Sequence, residues 1–260
     1  MLTAWFRSSL AYLWSGWGAL ASILLFVAFW DFGNRIYGDF ILPSPQATFV
    51  RLGELFQEGT AGPELLVTTY RSLTGFGIAL LAGSTVGILA GLSMTTAMAA
   101  RPLITILIGV PPIAWIVLAL LWFGATDSTP ILTIALTPLP ITSAAGVQGA
   151  RPLDGPLRHL ARTVNSPSWR ALVDVHLPHI LSYLFPAWIT ALGMSWKVVV
   201  MAELLSSNTG VGAGLATARV NLDTSATMAW IVAIVGALLI AEYGILEPIK
   251  RRLEQWRESK

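Results

Sequence analysis

The sequence predicts an all-α membrane protein with six transmembrane helices, and three observations carry that prediction. Charged residues make up 12% of the 260-residue chain, about half their share in soluble globular domains. Hydrophobic residues make up 55%, eleven residues are Trp, and mean hydropathy is +0.68. Six apolar stretches recur, each near the roughly 20 residues that cross a hydrocarbon core about 30 Å thick. A soluble surface of this size needs more charge than the chain has, so lipid must solvate much of the exterior and a soluble enzyme is excluded. A net charge of +2 is too weak for nucleic-acid binding. The absence of cysteine excludes disulfides, thiolate metal sites and thiol nucleophiles.

The spans fall at about residues 8–30, 66–94, 102–124, 128–150, 178–205 and 224–249 of one transmembrane domain covering residues 1–260. The first run lacks a convincing cleavage site and reads as a retained span rather than a removed signal peptide. Six spans put both termini on one side, and the basic residues choose which. With cytoplasmic termini, eleven of the sixteen Lys and Arg fall inside: Arg7, Arg101, Arg151, Arg158, Arg162, Arg170, Lys250, Arg251, Arg252, Arg257 and Lys260. Only Arg35, Arg51 and Arg219 fall outside, which is the asymmetry of cytoplasmic ends. In the long external segment, Pro43-Ser44-Pro45 makes a stiff turn. Phe49, Leu52, Leu55 and Phe56 then recur at helical spacing beside Arg51, Glu54 and Glu58. They predict a short external amphipathic helix that either packs on the bundle or offers a docking surface.

In lipid, apolar surface alone cannot press helices together, so close backbone approach has to contribute. Gly75, Ala79, Gly83, Gly87 and Gly91 recur every fourth residue and give the second span one face without bulk. That face suits static packing or a sliding contact. Pro111-Pro112 in the third span, and Pro138 and Pro140 in the fourth, break their helices. Broken helices at membrane depth either kink a bundle or border a transport pathway. Ionisable residues at that depth are costly and become functional suspects: Arg71, Lys197, Glu203 and Glu242. Lys197 and Glu203 are six apart and so lie on different faces of one helix. Each is expected to face another helix or a second subunit, although Glu203 is near enough to the outer end to snorkel.

Missing chemistry is also informative. None of the three lysines follows a glycine in the G-x-x-x-x-G-K-[ST] pattern, so the chain has no P-loop. Gly210-Val211-Gly212-Ala213-Gly214 reads as an outer loop whose backbone bends or packs closely. His159, His176 and His179 share one cytoplasmic stretch without cysteine support, so no metal site is assigned. No G-x-S-x-G elbow marks a hydrolase nucleophile.

The loop at 151–177 is the most informative segment. Asp154 can cap a short helix with Leu153, Leu157, Leu160, Ala161 and Val164 on one side. Ser166 and Pro167 restart a second, with Trp169, Leu172, Val173 and Leu177 as an apolar stripe leading to Pro178. Here the chain resembles the permeases of binding-protein-dependent ABC importers. Their signature runs E-A-A, three residues, G, nine residues, I, one residue, L-P. Aligned on Leu177-Pro178, it places His159-Leu160-Ala161 at the triplet, Asn165 at the glycine and Val175 at the isoleucine. Only Ala161 and Leu177-Pro178 match literally.

Further motifs are similar to the nitrate/sulfonate/taurine branch of those permeases. They are Leu42-Pro43-Ser44-Pro45, Arg71 with Gly75-Phe76, Pro111-Pro112-Ile113-Ala114-Trp115, Leu121-Trp122-Phe123-Gly124, Ser195-Trp196, Ala202-Glu203-Leu204 and Gly210-Val211-Gly212.

The resemblance implies a multi-pass subunit of the bacterial inner membrane that pairs, usually as a homodimer, around a translocation path for a small anionic or organic solute. Two ATPase subunits would carry ATP and Mg, with no cofactor in this chain, and an external or periplasmic binding protein would deliver the solute. Leu157, His159, Leu160, Ala161, Asn165, Trp169, Val175, Leu177 and Pro178 would then couple to the ATPase. Arg71, Trp115, Lys197 and Glu203 would line the path or its gate. The alternative from another class is an ion-coupled secondary transporter using Glu203 or Glu242.

Overall fold

A computed structural model of the chain describes residues 2–151 and 176–242. The ten helices among the described residues are α1 (Leu2–Tyr37), α2 (Pro45–Gln57), α3 (Ala61–Gly91), α4 (Met94–Gly109), α5 (Pro112–Phe123), α6 (Ser128–Leu136), α7 (Leu139–Gly149), α8 (Leu177–Ser206), α9 (Val211–Val220) and α10 (Thr224–Ala241). Five stretches are long and apolar enough to cross a membrane: Leu20–Tyr37, Ala61–Gly91, Ser128–Gly149, Leu177–Ser206 and Thr224–Ala241. The pair α4 and α5, bent by 86°, makes a sixth if taken as one span. The protein is an all-α, multi-pass membrane protein.

The stretch at 8–30 lies within α1, which continues to Tyr37. Asp31 and Arg35 stay inside the helix because they pair one turn apart, at 2.9 Å. The stretch at 102–124 is not one helix. Pro111 has no N–H to donate and pushes Val110 out of helical conformation, to ψ 118°, so the chain turns sharply between α4 and α5. At Pro138 the interruption is milder. Thr133 and Thr137 each donate a hydroxyl to the carbonyl four residues earlier, at 2.8 Å, and α6 and α7 continue as one apolar stretch.

The small-residue face of α3 is where the bundle closes. Gly75, Ala79, Gly83, Gly87 and Gly91 are all buried. A Cβ on Gly75 would meet Ile134 and the carbonyl of Ile131, and one on Gly87 would collide with the Ser143 backbone. Gly91 packs on Val147 and Ala150. The Thr142 hydroxyl reaches the Ala79 carbonyl at 3.1 Å, a cross-helix bond that only such a close approach permits. From the other side Gly146 presses against the backbone of Gly87 and Ile88.

α2 is capped by Ser44, whose hydroxyl accepts from the Ala47 N–H at 3.2 Å, and Pro45 opens its first turn. Leu52 and Leu55 pack on the cluster formed by Val211, Leu215, Ala226 and Trp230, whereas Phe49 and Phe56 stay exposed. Arg51 bonds Glu58 at 2.9 Å and Glu54 at 3.0 Å, and these hydrogen bonds hold its proton more firmly than usual.

The glycine face makes a direct prediction. Gly87→Val forces α3 off the Ser143 backbone and lowers stability by about 1–3 kcal/mol or more. Gly77, with open space where its Cβ would stand, is the control: Gly77→Ala raises stability by about 1 kcal/mol through helix propensity. Thermal unfolding of both variants in detergent checks the pair. Equal behaviour would remove the close-packing account.

Candidate functional site

One end of the bundle holds a buried ionic network built from five parts of the chain. Arg71 on α3 is 2% exposed and Glu203 on α8 is 0% exposed. Their side chains meet at 2.9 Å, although 132 residues separate them in sequence. Arg71 Nη1 also donates to the Thr209 carbonyl at 2.8 Å, and Nη2 to the Thr209 hydroxyl at 2.8 Å. Asp127, between α5 and α6, accepts from Nε at 3.1 Å and from Nη2. These five bonds use every N–H that a guanidinium carries.

Glu203 is satisfied on its other side. Its Oε2 accepts from the Thr68 hydroxyl at 2.8 Å and from the Gly212 N–H at 3.1 Å. Thr68 in turn accepts from the Val211 N–H at 2.8 Å, and Glu64 accepts from the Gly210 N–H. Three successive backbone N–H groups at the start of α9 thus meet acceptors on α3 and α8. Two of those acceptors are carboxylates, the charge that a helix N-terminus favours.

Glycine is required here. Gly210 has φ 97°, and a Cβ on it would run into the Glu203 carboxylate. One on Gly212 would stand 2.5 Å from the Val200 carbonyl. The segment 210–214, expected as an outer loop, is the first turn of α9 with Gly210 as its cap. The carboxylates supply the acceptors that a helix start needs.

Of the expected path residues, the fold brings Arg71 and Glu203 together in the interior of one subunit. Glu203 does not snorkel toward water. Lys197 is exposed on α8 and Trp115 is half-buried on α5, and neither joins the network. Glu242 is exposed at the end of α10. Leu177 and Pro178 form the first turn of α8, with Leu177 exposed. Leu157, His159, Leu160, Ala161, Asn165, Trp169 and Val175 lie outside the described residues. The sequence reading missed Glu64, Thr68, Asp127 and Thr209. Asp127 had a signal: it is an acid between two charge-free runs, at the same end as Arg71, and buried charges seek partners.

Breaking one side of the pair leaves an uncompensated buried charge. Arg71→Met or Glu203→Leu alone therefore costs about 3–5 kcal/mol. The double variant is less damaged than the sum, with a coupling of about 1–3 kcal/mol. A double-mutant cycle on thermal unfolding in detergent measures this, and strict additivity would contradict the ion pair.

Residues 83–254 match the family model described as binding-protein-dependent transport system inner membrane component. The "Putative aliphatic sulfonates transport permease protein SsuC" of Bacillus subtilis (strain 168) is 32% identical over 90% of this chain and 85% of its own length. The taurine transport system permease protein TauC of Escherichia coli (strain K12) is 28% identical over 92% and 88%. The bicarbonate transport system permease protein CmpB of Synechococcus elongatus is 32% identical over 74% and 73%. These relatives are permeases, not enzymes, and they support transport driven through partner subunits rather than the ion-coupled alternative. The chain belongs to the binding-protein-dependent ABC importer permeases, in the nitrate/sulfonate/taurine branch.

Proposed function

We propose that two copies of this chain pair in the bacterial inner membrane, with both termini in the cytoplasm, to form a path for a small oxyanion. An external binding protein delivers the solute. Two ATPase subunits, holding ATP and Mg, drive its passage. The relatives named above carry aliphatic sulfonates, taurine or bicarbonate by name, and an anionic oxygen-bearing group is common to those solutes.

The carrying observation is the open face of α8. Tyr183, Thr190, Lys197 and Met201 recur along it and are exposed, while Leu192, Ser195 and Val199 on the opposite side are buried. Facing lipid, a lysine at this depth costs free energy. Facing the same surface of a second copy, it borders a wet path. Trp115, half-buried on α5, belongs to the same path or its gate in this reading. Arg71 and Glu203 hold its outer end in shape without touching solute, because their hydrogen bonds are already taken.

Coupling falls to residues 154–175, whose sequence carries two short apolar stripes outside the predicted spans, suited to dock on the ATPase. In liposomes, with the ATPase and binding protein that co-purify with it, the chain is expected to show ATP-dependent uptake of taurine, ethanesulfonate, nitrate or bicarbonate. Uptake driven by a proton or sodium gradient without ATP would overturn this reading. Ala161→Asp places a carboxylate in the docking contact, at a cost of several kcal/mol if it stays ionised and dry. Membrane levels are expected to be normal, with ATPase retention and solute-stimulated hydrolysis lost. Unchanged values for both would show that the segment is ordinary surface.

A further inference from the structure

The geometry points to Lys197 as the counter-ion that meets the solute's negative charge within the membrane, over a vacant patch above Gly193. This rests on the proposed oxyanion path and adds the residue that makes it selective for charge. Two cations read from the sequence, Arg71 and Lys197, suited an anion equally well. The structure separates them. All five N–H groups of Arg71 are committed to Asp127, Glu203 and Thr209, so it has nothing left for a solute. Lys197 is exposed and has no carboxylate within ion-pair distance among the described residues.

Position along the helix agrees. α8 has 30 residues, so it is about 45 Å long, and Lys197 stands nine residues, or about 13 Å, from its end at Ser206. With α8 centred on a hydrocarbon core of about 30 Å, the lysine lies inside that core. A helical side chain leans toward the helix N-terminus and covers the turn before its own Cα. Lys197 therefore leans toward the bilayer centre, away from the nearer surface, and snorkelling works against that geometry. The turn it covers is that of Gly193.

Gly193 fits that placement. A mid-helix glycine costs about 1 kcal/mol relative to alanine. Gly75, Gly83, Gly87 and Gly91 each have a helix pressed against them to explain that cost. Gly193, like Gly77 and Gly236, has nothing within 4 Å of a Cβ built on it, and it alone of these three lies one turn from an exposed lysine on its own helix. Its effect is to leave space beside the ammonium. Thr190, exposed one turn further along, already donates its hydroxyl to the Pro186 carbonyl at 3.0 Å, so the donors on this face are those of the ammonium. A small oxyanion needs what Lys197 and Gly193 then supply: a cation with free donors, and room.

The cysteine-free chain makes the test clean. Lys197→Cys is prepared with cysteine-free ATPase and binding protein, and uptake is measured with whichever of taurine, ethanesulfonate, nitrate or bicarbonate the wild type transports. Retention of the ATPase subunit serves as the folding check. Uptake is expected to fall by about tenfold or more. Treatment with aminoethyl methanethiosulfonate, which restores a cation of nearly lysine length, is expected to return it to within about twofold of wild type. Methyl methanethiosulfonate, which adds bulk without charge, is expected to restore nothing. Gly193→Leu, which puts bulk into the space where a Cβ meets nothing within 4 Å, is expected to lower uptake comparably. Unimpaired uptake by Lys197→Cys, or equal rescue by both reagents, would overturn the counter-ion role. If the wild type transports none of the four anions but does move a neutral or cationic solute, the oxyanion reading itself fails.

Discussion

A guanidinium buried in an apolar bundle tolerates no half-measures, and Arg71 governs the end of the molecule where it sits. Stripping its hydration would cost several kcal/mol if any donor were left without a partner. All its donors are therefore met, and meeting them fixes several elements at once. Glu203 has to sit at its place on α8, Thr209 has to follow within the turn after that helix, and Asp127 has to reach in from between α5 and α6. The start of α9 then falls against Glu203, close enough that only glycine fits at 210 and 212. Helix ends that are distant in sequence are thereby held in register by hydrogen bonds with strict direction. Apolar contact in lipid gives no comparable direction.

The other organising contact is the close face of α3. It works by dispersion and by bonds such as that of the Thr142 hydroxyl to the Ala79 carbonyl. Elsewhere the molecule leaves gaps that a soluble protein would not keep. Between α1 and α10 lies an apolar groove of about 740 Å³, bordered by Phe26, Phe29, Ile231 and Val235. α1 is tied down near one end, through Trp30 to the Pro43 carbonyl at 2.8 Å and Asn34 to the Leu42 carbonyl at 2.7 Å. In water such a groove would collapse. In a bilayer, acyl chains fill it at little cost, because they are as apolar as the walls.

What was legible in the sequence follows from this physics. The every-fourth-residue pattern of α3, the break at Pro111-Pro112 and the cap at Ser44 are properties of a residue and its own helix, so spacing alone reveals them. The pairing of Arg71 with Glu203 is a property of two helices and 132 intervening residues. Sequence marked both as costly in a membrane without saying that each was the other's remedy. The start of α9 was misread for the same reason. Its glycines looked like a loop because the acceptors that permit a helix start are carboxylates on α3 and α8, remote in the chain. Only the tertiary fold distinguishes a spent cation from one still open to a partner.

That distinction follows the chemistry of the two side chains. A guanidinium is flat, carries its donors in fixed directions and bonds several partners simultaneously, which suits a joint that must not move. An ammonium is a compact charge on a flexible stem and can follow a partner that arrives and leaves. Arg71 is buried among acceptors from three residues, and Lys197 is exposed on a helix face with vacant space one turn away. Exchanging them would fail at both positions: lysine cannot fill five acceptor contacts, and arginine would crowd the space that Gly193 leaves. In the proposed path the two cations would have different tasks. A binding charge acts repeatedly only if the walls around it keep their shape, and the saturated arginine network would supply that constancy.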